Sequence, residues 1–211
     1  MQELAMPLEN RVDPQGRIFR SPARGTMMGN RGGTLHNEGR EIVRQYKHRR
    51  WIACVLEFRG RRRVVMSPGR YTELFFLDEA VALAAGHRPC AECRRERYNA
   101  FREAWRRANG AAELPRAGEM DVELHRARVD AQGRKVTYEA ELDSLPDGCF
   151  VQIDQAPVLV WDASLWLWMP EGYAQRESRP SGLRVTVLTP EPIVKCLRNG
   201  YRADRHASAG E

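Results

Sequence analysis

Cys90 and Cys93 stand three apart in AGHRPCAEC (85–93), directly behind a glycine and a proline. Two thiolates at this spacing can share one tetrahedral ion, because a tight turn brings both sulfurs to one side. Two further donors must then close the shell. If Pro89 opens a helix, both cysteines lie in its first turn, where free N–H groups and the helix dipole stabilise thiolate. Arg88, Arg94 and Arg95 act in the same direction. Redox pairs use the same spacing but follow a strand in a βαβ unit, and here a helical pattern precedes.

Several residues could complete the shell. His36, in GGTLHN, sits on a glycine-rich segment that could fold over the knuckle, and it is the first candidate. Cys54 is the nearest upstream cysteine, but strand alternation with Ile52, Leu56 and Phe58 turns it towards the core. His87 is too close to the knuckle for easy co-ligation, which favours packing, and His48 in KHRR is expected to face solvent or phosphate. A knuckle without metal, held by packing alone, stays open. Glu119, Asp121, Glu123 and His125 share a later helix and could act as acid and base or hold Mg²⁺, although surface helices carry such residues by chance.

The elements that must position these side chains divide the chain in three. Residues 1–40 are rich in Gly, Pro, Arg and Asn without clear periodicity, which predicts a long irregular arm. Residues 41–110 form a basic lobe. WIACVLEF (51–58) is a strand by its β-branched and aromatic content, RGRR turns the chain, and RVVMS (63–67) returns as a hairpin partner. Asp78 is a predicted N-cap for EAVALAA, Gly86 ends that helix, and a second helix runs from Pro89 to about Ala108. Tyr98, Phe101, Ala104 and Trp105 form its apolar stripe. Residues 111–211 are a linker, a short helix (EMDVELHRARV) and then the strands CFVQID, PVLVWD, LWLWMP and LRVTVLT. Thr189 caps a last helix. The expected class is α+β: a hairpin and two-helix lobe around the knuckle, then a small antiparallel sheet with a closing helix. Trp161, Trp166 and Trp168 crowd that sheet as core, or as the wall of a pocket.

The segment LFFLDEAVALAAGHRPCAECRR (74–95) resembles the Ada-type zinc-binding domain of DNA-repair proteins and a tail module found behind some thermonucleases. The shared features are Phe75-Phe76, a short helix rich in Glu and Ala, Ala85-Gly86, Arg88-Pro89 and then Cys90 and Cys93. His87 takes an aromatic place. The match is ungapped and covers about a tenth of the chain. It implies that Cys90 and Cys93 are zinc ligands in a module that handles DNA. It breaks upstream: RGRRRVVMSPGRYTE (59–73) has no cysteine or histidine where that family has a first ligand pair and its methyl acceptor, so the methyl-accepting chemistry does not carry over.

Charge supports a polyanionic partner. From Gly39 to Arg107 there are 17 Lys and Arg against 8 Asp and Glu, and from Ala108 onward 12 against 16. The basic lobe points to nucleic acid, above all DNA, although 31 arginines could also be a solvated surface. Arg59, Arg61, Arg62 and Arg63 at the hairpin tip, with Arg88, Arg94 and Arg95 at the knuckle, are the predicted phosphate contacts. No apolar run is long enough for a membrane span. MQELAMPLENRVDPQGR has no secretory pattern, and the five cysteines do not suggest a disulfide framework, so a cytoplasmic protein is expected. No P-loop, dinucleotide fingerprint, G-x-S-x-G or H-E-x-x-H is present. The leading expectation is a DNA-associated binding protein with a structural zinc knuckle or its remnant. The alternatives are a metal-dependent nuclease or repair enzyme using His36, and a scaffold or small-molecule-binding protein without nucleic acid.

Overall fold

The computed structural model describes residues 6–61 and 64–210. It is an α+β structure of two six-stranded sheets and, among the described residues, four α-helices. The first sheet contains β1 (Glu9–Val12), β2 (Ile18–Arg20), β3 (Met27–Asn30), β4 (Ile52–Cys54), β5 (Leu74–Phe76) and β6 (Arg88–Pro89), in the spatial order β2-β1-β5-β3-β4-β6. Three of these strands come from residues 1–40, so that stretch is not an irregular arm. Glycine hid β3, and β1 and β2 are too short to show a pattern. A Cβ on Gly29 would lie 2.6 Å from both the Ile52 carbonyl oxygen and the Phe76 ring, and one on Gly25 would overlap the Phe76 backbone. These positions need glycine because neighbouring chain passes so close, and glycine erases the alternation that marks a strand.

The neighbour of β4 also differs from expectation. It pairs antiparallel with β3 and parallel with β6, not with a strand at 63–67. In the described part of that segment Met66 is buried with φ of +54°, and its N–H donates to Glu73 at 2.8 Å. A tertiary contact thus claims Met66, while Val64 stays exposed, so no returning strand forms among the described residues.

Helix α1 (Glu79–Ala84) begins where its cap predicts: the Asp78 carboxylate accepts from the Val81 N–H at 2.9 Å. Gly86, at φ of +86°, ends it. Helix α2 (Arg95–Ala108) starts later than the sequence suggests. Pro89 belongs to β6, and residues 91–94 form a turn before the helix. Tyr98, Phe101, Ala104 and Trp105 are its buried face. Helix α3 (Ala117–Arg128) then leads into the second sheet, whose strands are β7 (Tyr138–Glu141), β8 (Phe150–Ile153), β9 (Ala156–Trp161), β10 (Ser164–Met169), β11 (Gly172–Ser178) and β12 (Arg184–Val187). All its pairings are antiparallel, in the order β11-β10-β9-β8-β12-β7. Helix α4 (Glu191–Arg198) closes this half. Thr189 does not cap it; its hydroxyl accepts from the Phe150 N–H at 2.8 Å. Buried apolar residues of both halves, among them Phe76, Leu83, Phe101, Phe150 and Leu159, form one core cluster.

An unusual set of buried cations surrounds Trp51. The guanidinium carbons of Arg31 and Arg128 lie 4.2 and 4.1 Å from its ring centroid, on a residue that is itself buried. Both guanidiniums donate to backbone carbonyls: Arg31 to Gly16, Arg128 to Gly86. Lys135 is close by, its Nζ donating to the Ala84 carbonyl at 2.6 Å. Burial first, then the Arg31 charge, lowers the Lys135 pKa from 10.5 to about 7. The unfolded chain therefore binds more protons than the native one between these two values, and stability must rise with pH across that window. The urea midpoint is expected to climb between pH 7 and 9, and Lys135→Met is expected to flatten most of that climb. An unchanged slope in the variant would place the pH response elsewhere.

Candidate metal centre

The parallel pairing of β4 with β6 builds the site. Its register sets Ile52 beside Arg88 and Ala53 beside Pro89, so Cys54 and Cys90 are the next pair along. The Cys90 N–H donates to the Ala53 carbonyl at 2.9 Å, which fixes that register. The chain then turns, with the Arg94 N–H donating to the Cys90 carbonyl, and the turn carries Cys93 back towards Cys90. The three sulfurs of Cys54, Cys90 and Cys93 all lie within 4.8 Å of one another. A tetrahedral zinc with Zn–S of about 2.3 Å holds sulfurs about 3.8 Å apart, so a small closing movement would suffice.

Cys54 is the ligand the sequence reading turned the wrong way. The core side of β4 takes Ala53, flanked by the buried Trp51, and this leaves Ile52 and Cys54 half-buried on the other face. His36, the first candidate from sequence, is not in the cluster. It is only 5% exposed, and both ring nitrogens are engaged: Nδ1 with the Thr72 hydroxyl at 2.6 Å, Nε2 with the Ser67 carbonyl at 3.2 Å. His87 is a packing residue. Its ring lies against Phe76 and Trp51, and burial, followed by the Arg31 charge, drives its pKa well down and keeps it neutral.

The backbone favours thiolate at this position. The Cys90 sulfur accepts from the Glu92 N–H at 3.4 Å. The neighbouring Cys54 and Cys93 thiols hold the Cys90 pKa below the ordinary thiol range, and the same closeness pushes Cys54 up. Cys149 and Cys196 are buried in the core, and burial pushes both thiols up, so neither resembles the cluster.

All three cluster cysteines line one cleft of about 830 Å³. Its apolar walls include Met28, Ile52, Val55, Phe58, Tyr71 and Phe75, while Arg50, Glu73 and Glu92 are among its polar residues. Near the cleft, Leu56 is 47% and Val64 67% exposed, unusually open for residues of their type.

The predicted phosphate contacts separate into two groups. Arg88 and Arg94 are buried and committed to carboxylates, which corrects their assignment to a nucleic-acid surface. Arg88 forms a two-pronged pair with Asp121, both bonds 2.8 Å. Arg94 reaches Glu79 at 2.6 Å and Asp204 at 3.0 Å. Arg59, Arg61 and Arg95 are exposed, with Arg59 and Arg61 over the Phe58 ring and Arg61 paired to Glu92. Arg62 and Arg63 lie outside the described residues. The most open basic segment is a different one. Arg40, Arg44, Lys47, Arg49 and Arg50 are all exposed, and none forms an ion pair with a described residue. KHRR was visible in the sequence, but nothing there separated its free cations from those bound to carboxylates.

The acid–base set on α3 is not assembled. Asp121 is taken by Arg88, Glu119 accepts from the Arg116 N–H at the helix start, and His125 packs on Tyr46. Trp161, Trp166 and Trp168 are half-buried, Trp168 edge-on to Phe19. No helix among the described residues is long and apolar enough to cross a membrane. Compared with protein-family models, curated proteins and solved structures, the chain matches none.

Proposed function

We propose that this is a zinc-thiolate protein whose metal is held by Cys54, Cys90 and Cys93. One observation carries the reading: three thiols from two separate parts of the chain converge within 4.8 Å of one another, with the Glu92 N–H donating to the Cys90 sulfur at 3.4 Å. Soft thiolate donors select zinc, Cu(I) or iron–sulfur clusters, and an isolated mononuclear group of this kind suits zinc. Zinc content by elemental mass spectrometry tests it. One zinc per chain is expected in the purified protein, and Cys54→Ser and Cys90→Ser should each lose most of it. Equal content in both variants and the parent would remove the cluster as the site.

Nucleic acid is the partner this reading favours, and the open cations of residues 40–50 support it, together with the likeness of 74–95 to DNA-handling zinc modules. Those side chains reach solvent from a segment whose one acidic residue, Glu41, is bonded to Asn37. Binding to a labelled DNA duplex, followed by anisotropy, should weaken steeply as salt rises. Replacing Arg44, Lys47 and Arg49 together by Ala should lower the slope of log K against log salt by about 2–3. Absence of binding at low salt, to duplex and single strand alike, would end this part of the proposal.

A further inference from the structure

The three thiols leave one tetrahedral position to be filled. Among the described residues no fourth His, Cys, Asp or Glu brings a ligand atom into the group. Of the carboxylates lining the cleft, Glu73 accepts from the Met66 N–H and Glu92 pairs with Arg61, while Glu57 is exposed and brings no ligand atom into the group. Zinc sites that only hold a fold are closed by four protein donors, whereas sites with three keep a position for water or a ligand. Here that position has a definite outlook, because Cys54, Cys90 and Cys93 all line the same cleft. At about 830 Å³ it is within the range of small-molecule sites, and its walls are largely aliphatic and aromatic. Its cations are unequal: Arg88 is bound to Asp121 and Arg61 to Glu92, while Arg50 forms no ion pair with a described residue.

We infer that the cleft binds a small organic thiol whose sulfur becomes the fourth ligand of the metal. The ligand has an apolar body that lies against Met28, Val55, Phe58 and Phe75, and an anionic group that reaches Arg50. A soft sulfur donor matches the three thiolates already present. On binding, the S–H proton leaves to solvent and the sulfur lone pair forms the metal–sulfur bond. The Glu92 N–H that donates to the Cys90 sulfur disperses part of the added negative charge. The inference rests on the zinc reading above.

The test uses the full-length protein with cobalt(II) in place of zinc, whose visible ligand-field bands report the donors directly. The probes are mercaptophenylacetate and, as its sulfur-free counterpart, hydroxyphenylacetate. Mercaptophenylacetate is expected to shift and intensify the bands saturably, with hydroxyphenylacetate leaving them unchanged. Arg50→Ala, an exposed change, should weaken the thiol about tenfold and leave cobalt uptake intact. Unmoved bands in a cobalt-loaded protein would overturn this inference and spare the zinc reading. An equal response to the sulfur-free probe would overturn it too, and an unchanged affinity in Arg50→Ala would remove the anionic contact. Failure to take up cobalt or zinc at all would overturn the zinc reading itself, and this inference with it.

Discussion

On the zinc reading, stripping the metal from the zinc-loaded protein with a chelator is expected to lower its thermal midpoint by about 8–16 °C. The figure follows from linkage: a ligand held at a thousand times its Kd stabilises the folded state by about 4 kcal/mol, and about 1 kcal/mol moves the midpoint of a chain this long by 2–4 °C. The geometry gives the metal this leverage. Cys54 ends β4, Cys90 follows β6 and Cys93 precedes α2, so one ion ties the sheet edge to the longest helix. The strand it secures is short, two residues in β6, with few ladder bonds of its own. Without metal, three thiols crowd one small space. Differential scanning calorimetry, with and without chelator, is the measurement. Cys54→Ser should begin near the lower midpoint and not respond to added zinc. A midpoint indifferent to chelation, in protein known to carry zinc, would mean the ion contributes nothing to the fold.

Glu79→Ala should be nearly as damaging, at about 3–5 kcal/mol, the loss typical of breaking a buried, fully bonded ion pair from one side. Glu79 is buried and gathers four groups. Its Oε1 accepts from Arg94 at 2.6 Å and from the Tyr201 hydroxyl at 2.5 Å; its Oε2 accepts from the Asp204 N–H at 2.9 Å and from Arg97. Burial alone would raise its pKa, but Arg94 and then Arg97 outweigh it and keep the carboxylate ionised. Truncation leaves Arg94 buried with only the exposed Asp204 as partner, and it removes two of the bonds that hold the 201–206 segment, which keeps those from Ala80 N–H to the Asp204 carbonyl and from His206 N–H to Asp78. Tyr201→Phe removes one of these bonds alone and should lose about 1 kcal/mol. Urea unfolding of both variants gives the comparison, and near-equal losses would show that the network is not organised around Glu79.

Local signals were legible where they acted locally. Asp78 and Gly86 bracket α1 as their capping chemistry predicts, the apolar stripe of α2 is buried, and the four apolar runs after Gly133 are strands of the second sheet. What was hidden depends on distant residues. β3 lacked alternation because Gly29 was needed where Phe76 and Ile52 pass close by, and β1 and β2 are only four and three residues long. β7 sets Tyr138 and Ala140 on the core side but is only four residues long, and β11 is exposed from Ala174 onward. Cys54 was assigned to the core because alternation has two phases, and only the sheet tells which faces inward. Arg88 and Arg94 looked like surface cations because their carboxylates are far along the chain, at 121, 79 and 204. Cys90 and Cys93 were recognisable from spacing alone, since both ligands fall within one turn.

The order of strands in the first sheet dictates an order of events during synthesis. β3 lies between β4 and β5, and β1 gains its second neighbour only when β5 appears, so the opening strands emerge with exposed edges. The site cannot be completed until β6 and the turn after it have been made. At translation rates of about 5–20 residues per second, about 2–8 s separate the synthesis of Cys54 from that of Cys93. For that interval Cys54 is a solitary thiol on an unfinished sheet, exposed to whatever oxidant or metal it meets first. The nascent chain, more than the finished protein, is the form in which this cysteine is vulnerable.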